Sequence, residues 1–246
     1  MYKKGIFEIR TNEPLTASVW RMTLAGDTQW ITAPGQFVNI AIDGLFLRRP
    51  ISVCDCREGL LTLVYKVVGE GTRRMSRMQP GQQLDLLTGL GNGFRIDPAV
   101  QKPLLVGGGV GVPPLYLLAR RLLDRGVPVQ VVLGFNTAAE CFYAEEFRAL
   151  GCGVTVATAD GSAGTKGFVT TAIADGGLDF DYFYACGPLP MLKALCEGVQ
   201  QDGQLSFEER MGCGFGGCMG CSCQTKAGTK RICKEGPVLE KGEILW

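Results

Sequence analysis

Residues 103–114 read Pro-Leu-Leu-Val-Gly-Gly-Gly-Val-Gly-Val-Pro-Pro. Pro103 to Val106 has the texture of a buried strand. From Val112 to Asp124, the apolar residues Leu115, Leu118, Ala119, Leu122 and Leu123 recur at helical spacing. Gly107, Gly108, Gly109 and Gly111 therefore lie in a tight strand-to-helix turn. Glycines there allow close backbone approach, and a helix N-terminus favours a pyrophosphate. The register is Gly109-x-Gly111-x-x-Pro114, not the strict G-x-G-x-x-G of a dinucleotide fingerprint, so a plain tight turn stays open as the alternative.

Downstream, the same alternation continues. The strand VPVQVVLGF is followed by Thr137-Ala-Ala-Glu140, a capping-box pattern predicting a helix that ends at Gly151. Then come the strand VTVATA, the loop DGSAGTKG, a short helix, the strand FDYFYACGP and a last helix near Pro190 to Gln200. Repeated winding of this kind predicts a doubly wound parallel sheet with ligands at the carboxyl ends of its strands. Cys186-Gly187-Pro188 closes the last of those strands, where a buried structural cysteine is the default.

Upstream, the texture is different. From Gly5 to about Thr88 the runs GIFEI, SVWRMTLA, QFVNIAI, ISVCDC, LLTLVYKVV and QQLDLLT are short and β-like, with turn signals at Pro34-Gly35 and Pro80-Gly81. This spacing predicts an all-β barrel or sandwich, with room for one helix near Arg73 to Met78 and a break at Asp97-Pro98. Within it, Leu47-Arg48-Arg49-Pro50-Ile51-Ser52 is followed by Val64-Tyr65-Lys66 and Gly69-Glu70-Gly71-Thr72. An arginine beside a hydroxyl, with a Gly-Thr turn nearby, can clamp a phosphate. Solvated arginines would give the same pattern.

The chain has 246 residues, 11 cysteines and no histidine. The missing imidazole excludes Ser-His-Asp hydrolysis, Cys-His proteolysis, Rieske centres and mixed Cys/His zinc fingers. Five cysteines crowd the tail: 213, 218, 221 and 223 in the glycine-rich MGCGFGGCMGCSC, and 233 ten residues further on. Cys213-x4-Cys218-x2-Cys221 followed by Cys233 has the plant-type spacing for a 2Fe-2S cluster, in which glycines let backbone N–H groups reach the sulfurs. A four-thiolate zinc site and plain buried thiols are the alternatives, but zinc ribbons usually show two C-x2-C knuckles and only one is available here, or a C-x-C if Cys223 joins. Cys223 is a spare, expected to pack, with replacement of a neighbouring ligand as the alternative. Phe215 and Met219, two large apolar residues in the same loop, are expected to meet another protein.

A net charge of +1, from 25 basic and 24 acidic residues, leaves no footprint for nucleic acid or an anionic membrane. Apolar runs are too short to span a bilayer and the N-terminus has no apolar h-region, so the chain reads as a soluble cytoplasmic protein with reduced thiols.

Taken in order, these motifs resemble the ferredoxin–NADP reductase superfamily: an R-x-x-S clamp on a flavin barrel, then G-x-G-x-x-P and C-G-P on a nucleotide domain. The tail CGFGGCMGCSC with RICKEGPVL, together with RRPIS, VVGEGT, GLGNGF and DGSAGTKGF, is similar to the electron transfer subunits of type B dihydroorotate dehydrogenases, over essentially the whole chain. The segment Ser222 to Ile232 is short for that family.

The resemblance implies a ferredoxin-reductase-like FAD-binding barrel at 1–98, an NAD-binding α/β domain at 99–203 and a 2Fe-2S segment at 204–246. It implies FAD on Arg49, Pro50, Ile51, Ser52, Val64, Tyr65, Lys66, Gly71 and Thr72. NAD would lie on Gly107, Gly108, Gly109, Gly111, Cys186 and Gly187, and the cluster on Cys213, Cys218, Cys221 and Cys233. The implied partner is an FMN-containing catalytic subunit, two copies of each forming a heterotetramer. Electrons leaving dihydroorotate would pass through the cluster and FAD to NAD+ in pyrimidine biosynthesis, with no catalytic base in this chain. NAD is favoured over NADP because Gly134-Phe-Asn-Thr-Ala-Ala has no basic residue for a 2′-phosphate, Lys166 being the exception to watch. Two rivals stay open: a related iron–sulfur flavoprotein subunit of sulfite reductase or ferredoxin:NAD(P) oxidoreductase type, and a non-catalytic zinc-stabilised binding module.

Overall fold

The computed structural model describes residues 2–246. The first six strands are β1 (Lys3–Pro14), β2 (Val19–Ala25), β3 (Phe37–Ile40), β4 (Arg49–Arg57), β5 (Leu60–Lys66) and β6 (Gln83–Leu90). They close into an antiparallel barrel in the order β1-β2-β5-β4-β3-β6. Alternation drives the closure: Phe7, Ile9, Met22, Leu24, Val38, Ile40, Leu61 and Leu63 all point into one interior and are buried. Helix α1 (Glu70–Met75) seals one end by burying Met75. It starts three residues before the predicted Arg73, because Gly71 and Thr72 are drawn into the barrel wall and Thr72 Oγ1 accepts the Val68 N–H at 3.0 Å. Asn12 Nδ2 donates to the Met75 and Met78 carbonyls at 2.8 and 3.0 Å, satisfying acceptors that the helix end leaves free.

The α/β part runs β7 (Pro103–Gly108), α2 (Pro113–Leu123), β8 (Gln130–Phe135), α3 (Ala144–Leu150), β9 (Gly153–Thr158), β10 (Thr165–Lys166), α4 (Val169–Gly176), β11 (Tyr182–Cys186), α5 (Leu189–Gly198) and β12 (Gly203–Ser206). The tail adds a hairpin, β13 (Ser222–Thr225) with β14 (Gly228–Arg231), and a last strand, β15 (Val238–Glu240). The sheet order is β10-β9-β8-β7-β11-β12-β15, parallel throughout except that β15 runs antiparallel to β12. The tail therefore completes the edge of the nucleotide sheet. Asn92, in the turn that leaves the barrel, fastens it there: Nδ2 donates to the Val238 carbonyl at 2.8 Å and Oδ1 accepts the Val238 N–H at 3.1 Å.

The capping box at Thr137 does not open a long helix. Thr137 makes no side-chain cap, only a single 3-10 turn forms over Ala138–Glu140, and Tyr143 adopts a left-handed φ of 68° before the seven-residue α3. Burial explains the interruption: Phe142 and Tyr143 both go into the core, and Tyr143 packs edge-on to Tyr116 at 5.2 Å. Tertiary packing here outweighs the local capping signal.

The barrel and the α/β unit are pinned by Arg120, which reaches Asp55 at 2.7 Å and the Cys56 carbonyl at 2.9 Å. No helix among the described residues is long and apolar enough to cross a membrane.

Candidate functional site

The β7–α2 turn is a close-packed corner. A Cβ on Gly107 would stand 2.9 Å from Val112 Cγ2, one on Gly108 2.5 Å from Met191 Sδ, and one on Gly111 2.3 Å from the Cys186 carbonyl oxygen. Gly109 alone faces open space, at a left-handed φ of 52°. Three glycines thus let strand, helix and neighbouring loop pack together, and the fourth presents bare backbone to a ligand.

That backbone borders a cleft of 610 Å³ between the two units. Thr16, Ser18, Val19 and Lys66 form the barrel wall. Gly108, Gly109, Gly111, Gly187 and Pro188 form the sheet wall, and Asn136 and Glu140 lie at one end. Gly107 and Cys186 lie one layer behind it, side by side in the β7–β11 register. Burial keeps the Cys186 thiol far above its ordinary pKa, so it is a neutral packing group rather than a nucleophile.

Glu208, absent from the expected site residues, also lines the cleft. Its carboxyl is reached by solvent but enclosed by protein, and the lost hydration raises its pKa. The only sequence signal for it is position: it lies two residues past the end of β12, at the carboxyl edge of the sheet.

The flavin-clamp residues come together from β4 and the β5–α1 turn. The Arg49 side chain occupies the space a Gly71 side chain would need, with Nε 2.1 Å from the ideal Cβ position. Arg49 Nη1 also donates to the Leu47 carbonyl. Pro50 and Ser52 pair across β3 with Asn39 and Phe37. Half-buried Ile51 packs against the barrel core. A cationic side chain lying in a glycine cradle at the start of α1 fits the diphosphate of FAD. Tyr65 is different: its ring is buried and its hydroxyl donates to Asn12 Oδ1 at 2.9 Å, so it faces the barrel interior. Val64 is buried between barrel and sheet, whereas Lys66 reaches the cleft.

In the tail, the cysteines approach as two pairs. The Cys213 thiol, raised by burial, is lowered more strongly by the backbone N–H groups of Phe215, Cys218 and Gly217 and by the Cys218 thiol, to about 6. The Gly217 N–H donates to Cys213 Sγ at 3.1 Å. Burial and the adjacent Cys221 thiol push Cys233 up to about 12, and its N–H donates to Cys221 Sγ at 3.4 Å. Among the described residues, no three such side chains converge on a single ion position. Two thiol pairs wrapped in backbone donors fit a centre with two irons, each taking two thiolates, better than one tetrahedral zinc. Cys223 is half-buried on β13 and packs against the sheet core.

A flavin-type barrel, a nicotinamide-type cleft and a thiolate tail define an oxidoreductase of the ferredoxin-reductase type with an iron–sulfur centre. Residues 105–197 match the oxidoreductase NAD-binding domain, and residues 208–245 match the iron–sulfur cluster binding domain of dihydroorotate dehydrogenase B. The chain is 47% identical over 238 residues to the dihydroorotate dehydrogenase B (NAD(+)) electron transfer subunit of Bacillus caldolyticus, covering 92% of each chain. It is 44% identical over 250 residues to that of Fusobacterium nucleatum subsp. nucleatum, covering 96% of each. A chain of the solved NADH-dependent reduced ferredoxin–NADP oxidoreductase superposes with a TM-score of 0.88 at 31% identity, covering 98% of this chain and 90% of that one. The chain belongs to the family of dihydroorotate dehydrogenase B electron transfer subunits. Its cofactors are FAD, a 2Fe-2S cluster and NAD.

Proposed function

We propose that this chain takes electrons released from dihydroorotate in an FMN-containing catalytic subunit, as part of a heterotetramer with two copies of each, and delivers them to NAD+. The reading is carried by one observation: the cleft that presents Gly109 and Gly187 is walled on its other side by the barrel, through Val19 and Lys66. A nicotinamide and a flavin bound to these two units would face each other.

In this reading Arg49, Pro50, Ile51, Ser52, Gly71 and Thr72 hold the FAD, with Val64 and Tyr65 contributing backbone and Lys66 facing the cleft. Gly107 to Gly111, Cys186 and Gly187 shape the nucleotide site. Cys213, Cys218, Cys221 and Cys233 ligate the cluster. FAD supplies the exchange between single electrons and a hydride, which a 2Fe-2S centre alone cannot perform. Dihydroorotate loses two electrons and two protons; NAD+ gains a hydride and one proton is released. The proton chemistry on dihydroorotate belongs to the partner, since this chain has no histidine and the Cys186 thiol behind the cleft is neutral.

Phe215 and Met219 are exposed at 40% and 53%, and we assign them to the contact with the catalytic subunit. NAD is preferred because Glu140 lines the cleft and Asp160 is kept ionised by the Ser162 hydroxyl and N–H, so both acids would repel a 2′-phosphate. We place the complex in the cytoplasm, where thiols stay reduced.

The test is anaerobic mixing of the holoprotein with a dihydroorotate dehydrogenase catalytic subunit. Dihydroorotate-dependent NADH formation, absent with either protein alone, is expected. A mixture that forms none, although flavin and iron are fully loaded, overturns the reading.

A further inference from the structure

We propose that Asn39 is a positioning residue that docks the cluster loop onto the flavin-bearing wall of the barrel and thereby tunes the cluster's potential. The proposal rests on the reading above, in which Cys213 ligates the cluster and β4 carries the flavin.

Strand β3 reads Phe37-Val-Asn-Ile40. Val38 and Ile40 point into the barrel core, so Asn39 points out of it, and its cross-strand neighbour is Pro50 of the flavin clamp. It is nevertheless only 1% exposed, because the tail covers it. Asn39 Nδ2 donates to the Cys213 carbonyl at 3.2 Å, a contact spanning 174 positions of sequence. The next residue, Gly214, has a left-handed φ of 79°, and a Cβ there would stand 2.3 Å from Nδ2. The first ligand-bearing turn is therefore moulded onto this amide.

The strand that carries this side chain is itself held. Arg48 Nη1 donates to the Asn39 main-chain carbonyl at 3.2 Å and is held by the Asp85 carbonyl and carboxylate, both at 3.0 Å. Asn39 Oδ1, in contrast, is buried without a hydrogen-bond partner among the described residues. A buried amide with one half unmet costs more than a leucine of similar volume. Packing alone does not call for it, but the donor half at Cys213 does. That donor places positive charge density beside a ligand peptide, and donors around a cluster favour its reduced, more negative state.

The experiment uses the full holoprotein and the variants Asn39→Leu and Asn39→Asp, with iron and flavin content, an EPR-monitored redox titration and stopped-flow reduction by NADH. Both variants are expected to keep FAD and the wild-type rate of flavin reduction. The cluster's share of electrons at equilibrium with flavin falls roughly tenfold, about 59 mV for a one-electron couple, more for Asp than for Leu. Wild-type potential, EPR line shape and flavin-to-cluster rate in these variants overturn the proposal. If Asn39→Leu carries no iron, Asn39→Ser is read beside Asn39→Asp. Loss of iron with flavin intact in all three supports docking, and loss of flavin in all three makes Asn39 a barrel residue and overturns it. A Cys213→Ser protein with full iron and a wild-type spectrum removes the ligand assignment itself, whatever the Asn39 variants do.

Discussion

Gly111 passes so close to Cys186 that a Cβ on the glycine would lie 2.3 Å from the Cys186 carbonyl oxygen and 2.5 Å from the Gly187 nitrogen. Both obstacles are backbone, so neither can swing aside. Gly111→Ala must separate the β7–α2 turn from the end of β11, the two segments that together form the sheet wall of the cleft. The expected outcome is a stability loss of roughly 1–3 kcal/mol, as for overpacking elsewhere, together with a raised KM for NADH and unchanged iron content. Steady-state dye reduction beside thermal unfolding checks it, and an unaltered KM would show that this corner does not shape the nucleotide site.

The proposed ligation separates the paired thiols from Cys223. Cys213→Ala or Cys233→Ala removes one thiolate from a pair and is expected to lose the cluster, whereas Cys223→Ala, on a half-buried packing residue, is expected to retain two irons per chain. Iron analysis with the visible spectrum reads this directly.

Arg231 carries a pH dependence. Its Nη1 donates to the Gly216 carbonyl at 2.6 Å, and its guanidinium, with its own N–H, bonds the Glu235 carboxylate. The Arg231 side chain is the main cause that lowers Glu235 from its ordinary 4.5 to about 2. Because the folded value is depressed, this pair stabilises the tail fully above 4.5 and progressively less as the pH falls from there towards 2. The carboxylate is one-third exposed, so Glu235→Gln is expected to cost below about 1 kcal/mol at pH 7. The gap from wild type should narrow by pH 4, and an equal gap in thermal unfolding at both pH values refutes the account.

Nucleotide choice should follow Glu140, which lines the cleft, and Asp160, whose N–H donates to the carbonyl of the lining residue Asn136. Glu140→Gln with Asp160→Arg removes one negative charge and replaces another by a positive one where a 2′-phosphate would lie. The ratio of NADPH to NADH turnover in dye reduction is expected to rise at least roughly tenfold, as for a new charge-assisted contact. No change would place the ribose elsewhere.

Phe215 stacks on Tyr2 at 5.1 Å and is still substantially exposed, as is Met219 four residues on. Phe215→Asp is expected to abolish co-purification with the catalytic subunit and leave NADH-dependent dye reduction intact. Undiminished co-purification would move the interface elsewhere on the molecule.

Much of this was legible in one dimension. Period-two alternation up to Thr88 and strand–helix alternation after Asp97 separate a barrel from a wound sheet, because each periodicity can bury only one kind of face. Cysteine spacing is equally local, since four thiolates must reach one small centre along a short tail. Three features were decided only by tertiary structure. Thr137 fails as a helix cap because Phe142 and Tyr143 find more burial by breaking the helix. Glu208 becomes a cleft residue because β12 takes its place beside β11, a pairing that the Glu208 segment itself does not encode. Asn39 meets Cys213 across 174 residues because barrel closure turns one face of β3 towards the tail. Periodicity and spacing reveal what a segment can bury or bind. Which distant segments share one site depends on how all the buried faces are satisfied together, and only the folded chain supplies that.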